Sequence, residues 1–101
     1  MVSLVKDRER ELRELCERYH VARLDLFGSA ANGNFNDESD LDFLVTFKEM
    51  PPEQFGRGFW GLLFALEDLF GRKVDLVVES TIRNPYFREE LESTRKLLYA
   101  A

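Results

Sequence analysis

A chain of 101 residues with a net charge of −5 has room for one domain with a modest core. The acidity argues against a nucleic-acid backbone as the main partner, because phosphate contacts need a basic footprint. A lone cysteine, Cys16, rules out an internal disulfide and suits a reducing cytoplasm, and neither a membrane-length apolar run nor a signal-peptide core is present.

Ser3 to Tyr19 is predicted as one helix that Ser3 can cap, with Leu4, Leu12, Leu15, Cys16 and Tyr19 on one face. The Arg and Glu residues around them form a solvated face. Cys16 sits on the apolar stripe and reads as packing rather than as a nucleophile. His20 has no second His or carboxylate pattern around it and reads as a loop residue. Val21 to Phe27 is the first strand, with Ala22, Leu24 and Leu26 on one face.

That strand runs into Gly28-Ser29, ten residues intervene, and Asp40-Leu41-Asp42 opens the second strand, Asp40 to Phe47. Residues i and i+2 of a strand share a face, so Asp40 and Asp42 aim two carboxylates at one spot. Such a pair repels unless a cation lies between, and a hard divalent ion such as Mg2+ binds through one or two carboxylates plus substrate phosphates. Gly28-Ser29 offers a backbone that can approach a phosphate closely, a hydroxyl and N–H donors. The stretch therefore reads as a metal-nucleotide site, set against the plainer reading of an Asp-rich solvated turn.

Met50-Pro51-Pro52 stops the second strand, and Glu53 to Phe70 is a long helix closed by Gly71 as a left-handed cap. Phe55, Phe59, Leu62, Leu63 and Leu66 form its core stripe. Trp60 and Phe64 repeat at i, i+4 on a neighbouring face, read equally as a wide buried stripe or as an interface for a homo-oligomer or a partner. Lys73 to Glu79 is the third strand, Asn84 caps and Pro85 starts a last helix with Phe87 and Leu91 inward, and 95–101 reads as either helix end or short strand. A short link permits strands one and two to pair antiparallel, and the helical link suits a parallel crossover to strand three. Asp75 then joins Asp40, Asp42 and the phosphate loop at one edge of the sheet.

At these residues the chain resembles the nucleotidyltransferase superfamily of the DNA polymerase beta-like fold, and within it the minimal nucleotidyltransferases (MNT) that serve as antitoxins to HEPN toxins. The matching signature is Gly28-Ser29, ten residues, Asp40-x-Asp42, with Asp75 of Lys-Val-Asp-Leu-Val-Val as third carboxylate and 82–91 as the closing helix. Asn32 stands where many members have Arg. The resemblance implies an α/β (α+β) domain spanning 1–101, a small mixed sheet of three main strands flanked by helices. It implies transfer of AMP from ATP to a hydroxyl, a tyrosine, of a cognate HEPN-type toxin in the cytoplasm. Asp40, Asp42 and Asp75 would hold two Mg2+ ions, Gly28 and Ser29 the phosphates, and Asp75 would help take the acceptor's proton. Two rivals stand beside this: an antitoxin that neutralises by contact alone, and an Asp-x-Asp metal hydrolase, which leaves Gly28-Ser29 without a role.

Overall fold

Alternating apolar residues in four segments build one sheet, seen in a computed structural model that describes residues 3–28, 31 and 40–101. The strands are β1 (Val21–Phe27), β2 (Leu41–Phe47), β3 (Val74–Val78) and β4 (Lys96–Ala100), in the order β3-β2-β1-β4. β1 pairs antiparallel with β2 and with β4, and β2 pairs parallel with β3. Both predicted pairings are present. The sheet has four strands rather than three, because 96–100 closes on β1. That edge strand is thinly buried, with Leu97 55% exposed, so its sequence alternates weakly and does not stand apart from a helix end.

The N-terminal segment divides into α1 (Ser3–Lys6) and α2 (Glu9–Arg18), with a turn at Asp7 and Arg8, where one continuous helix is expected from the sequence. The break brings Val5 into the core, fully buried, alongside Leu12 and Cys16. α3 (Pro52–Phe70) ends on Gly71 at φ 63°, the left-handed cap read from the sequence. α4 (Pro85–Thr94) starts from Asn84, whose Oδ1 accepts from the Tyr86 and Phe87 amides.

The sheet has two unlike faces. On one, Leu24, Leu26, Leu41, Phe43, Val45, Leu76 and Val78 meet α2 and α3, with Phe43 stacked on Phe70 of α3. A register irregularity between Val21 and Arg23 turns Val21 into this core and leaves Ala22 half-buried. On the other face Phe27, Leu44 and Val77 meet Phe87 and Leu91 of α4. That second face also carries the charged residues.

Candidate active site

Register brings the carboxylates together. Asp42 pairs with Phe27 on one side and with Asp75 on the other, so Phe27, Asp42 and Asp75 form one row across three strands. Asp40 directly precedes β2, two residues from Asp42, and is exposed, as is Asp75, whereas Asp42 is half-buried. Gly28 follows Phe27 with φ 70°, a backbone region that glycine enters at little cost. A Cβ placed on Gly28 would overlap Asp42 Oδ2. The glycine thus gives room to the Asp42 carboxylate itself. Ser29 and Asn32 lie outside the described residues.

The electrostatics follow from this packing. Burial first, then the charges of Asp75 and Asp40, push the Asp42 carboxyl up to about 6. The donor set is oxygen only, and the neighbouring acids make the Asp42 charge costly, which fits a hard divalent cation such as Mg2+. Among the described residues no group of three His, Cys, Asp or Glu side chains is gathered that could by itself hold a metal ion. Ligands from a bound phosphate would complete such a coordination shell, as is usual for Mg2+. An open cavity of about 300 Å³ lies at the opposite end of β1 and β2, between Arg18, His20, Met50, Gln54 and Arg57, and holds none of these carboxylates.

The chain matches the model of the nucleotidyltransferase domain over residues 9–98. A candidate protein adenylyltransferase of Methanocaldococcus jannaschii is 38% identical over 92 residues, covering 90% of this chain and 91% of that one. The chain belongs to the minimal nucleotidyltransferase family. Protein adenylyltransferase MntA of Thermococcus cleftensis is 39% identical over 72 residues, covering 71% of this chain and 70% of that protein. A solved minimal nucleotidyltransferase superposes with a TM-score of 0.75 at 34% identity, over 91% of this chain and 90% of the other. In fold alone, the chain also matches a complex of MNT antitoxin with tri-AMPylated HEPN toxin from Shewanella oneidensis (TM-score 0.65, 18% identity, covering 96% of this chain and 73% of that one). The reaction class of this nucleotidyltransferase is nucleotidyl transfer.

A second group of charges on the same face escapes a motif search. Asp25 in mid-β1 has no exposed surface and is held by Arg23 Nε at 2.8 Å and by Arg95 Nε at 2.5 Å. Arg95 also reaches Glu79 at 2.9 Å and Glu92 at 2.9 Å, and Arg88 reaches Glu79 at 3.1 Å. Burial works to raise the Asp25 carboxyl, but the hydrogen bonds from Arg23 and Arg95 outweigh it and hold it below the ordinary carboxylate range. The only sequence signal is an acid between Leu24 and Leu26, which requires a partner once the strand is covered. Cys16 is buried, and burial with the nearby Glu17 charge pushes its thiol up to about 12, in keeping with packing rather than nucleophilic work.

Proposed function

We propose that this protein is a Mg2+-dependent antitoxin enzyme that moves AMP from ATP to a tyrosine hydroxyl of a cognate HEPN-type toxin. The observation that carries the reading is the Phe27–Asp42–Asp75 row with Gly28 shaped around Asp42. The family membership supplies the reaction class. The acceptor is argued from relatives described as protein adenylyltransferases and from the AMPylated toxin in the complex of like fold.

In this reading Asp40, Asp42 and Asp75 would hold two Mg2+ ions, and Gly28 and Ser29 would bind the triphosphate. When bound, the ions would neutralise charge on the attacking and leaving oxygens. The tyrosine oxygen forms its bond to the alpha phosphorus as the bond to pyrophosphate breaks. Asp75 helps take the phenolic proton, and the beta and gamma phosphates depart together as pyrophosphate. The row lies toward one end of a sheet face whose middle is covered by α4. Positioning is the main demand: the oxygen must come within about 3–3.5 Å of phosphorus and in line.

The test is the intact mass of the partner after incubation with ATP and Mg2+, using wild type and Asp40→Ala/Asp42→Ala, followed by peptide mapping. The expected result is added adenylate on a tyrosine with wild type alone. Full neutralisation by the double variant, with no mass added by either protein, would make the chain an antitoxin by contact and sink the catalytic reading.

A further inference from the structure

Among the described residues, α3 is covered on one side only. At about 100° per residue, Glu53, Arg57, Trp60, Phe64 and Asp68 fall within a stripe of roughly 80° along the helix. All five are exposed, Trp60 by 55% and Phe64 by 61%. The Trp60 and Phe64 rings stack on each other at 6.0 Å between centroids with 27° between their planes, forming one apolar plate. Among the described residues, the Arg57 and Asp68 side chains make no hydrogen bond or ion pair. A plate of this kind, flanked by unpaired charges, has the composition of an interface centre with its rim.

The order of the charges identifies the occupant. We infer that the plate is the centre of a twofold homodimer in which α3 packs antiparallel against α3 of a second copy. A twofold axis beside position 62 sets each residue opposite the one equally far on the other side. Trp60 then meets Phe64 of the partner copy. Arg57 lies about 7.5 Å toward the N-terminus and Asp68 about 9 Å toward the C-terminus of that point. Both sit on the same flank of the Trp60–Phe64 line, and an axis perpendicular to the helix keeps each flank facing itself. Arg57 therefore meets Asp68 of the other copy, and the pair forms twice.

Such self-complementarity is what an isologous interface requires, and an unrelated protein would have no call for it. The arrangement also spares the site. Phe43 faces α3, so Asp42, its neighbour in β2, faces away, and each carboxylate row lies on the side of the sheet opposite the dimer contact.

Sedimentation over a concentration series tests this with wild type, Trp60→Ala, Arg57→Asp, Asp68→Arg and an equimolar mixture of the two charge variants. Thermal melts establish that each variant is folded. Wild type is expected to sediment as a dimer, and Trp60→Ala to raise the dissociation constant by at least about thirtyfold. Each charge reversal alone weakens the dimer, while the mixture recovers it as a heterodimer through two restored pairs. A wild type that is monomeric throughout overturns the proposal, as does a folded Trp60→Ala that dimerises as tightly as wild type. Failure of the mixture to recover the dimer would discard the antiparallel register.

Discussion

At neutral pH the Asp42 carboxyl is ionised in a place that disfavours its charge. Its folded pKa, about 6, lies above the ordinary carboxylate value, so the folded state holds a proton that the unfolded chain has released. Stability from this residue is therefore greatest in acid, falls as pH rises from about 4 to about 6, and stays reduced above that. Asp42→Asn removes the penalty. In urea titrations without metal, the variant is expected to match wild type near pH 4 and to exceed it by about 1–2 kcal/mol at pH 7, while Mg-ATP binding by calorimetry is lost. Equal stability at both pH values would show that the carboxylates do not strain one another. The Asp40-x-Asp42 spacing makes the proximity of the two charges legible from the sequence, although Asp40 stands just before β2 rather than in it. The role of Gly28 was only half legible: turn glycines are ordinary, and that this one makes room for a carboxylate emerges only from the register with β2.

At the level of elements, α4 and β4 are tied down by Arg95, which is the residue between them and is only slightly exposed. Its hydrogen bonds to Asp25 and Glu79 hold it firmly charged, and those bonds keep both acids below the ordinary carboxylate range. For acids with depressed folded values, stability is present above the unfolded pKa near 4 and is lost as pH falls through the folded value. Arg95→Met leaves Asp25 buried with Arg23 as its remaining cation, and is expected to cost about 3 kcal/mol at pH 7. The cost should shrink in acid, where the acids become neutral; urea midpoints at pH 7 and pH 3 read both. An unchanged midpoint at pH 7 would reduce the network to surface decoration. The boundaries of α3 and α4 were legible because Pro52, Gly71, Asn84 and Pro85 punctuate the chain with local chemistry. The fourth strand was not, since its stability rests on pairing with β1 rather than on its own pattern. The helix break at Asp7 and Arg8 likewise has no Pro or Gly to announce it.

For the molecule as a whole, a ligand that binds only the folded state adds its binding free energy to stability, about 2.7 kcal/mol at a hundredfold excess over Kd. In a chain of this size each kcal/mol moves Tm by about 4–8 °C. Mg-ATP is expected to raise the melting temperature of wild type by on the order of 10 °C, and excess EDTA to return it to the starting value. Scanning calorimetry with ATP alone, Mg2+ alone and both together separates the contributions; an equal shift by ATP with EDTA present would remove the metal from the site. The pairing of β1 with both β2 and β4 has one more consequence, for the order of synthesis. Asp25 precedes its partner Arg95 by 70 residues, and β4 is the element that covers the second edge of β1. A chain still on the ribosome, with residues beyond 90 unmade, holds an open strand edge and a carboxylate with half its counter-charge. Protection from proteases at this edge therefore begins only once the segment from Arg95 onward has emerged to close the sheet.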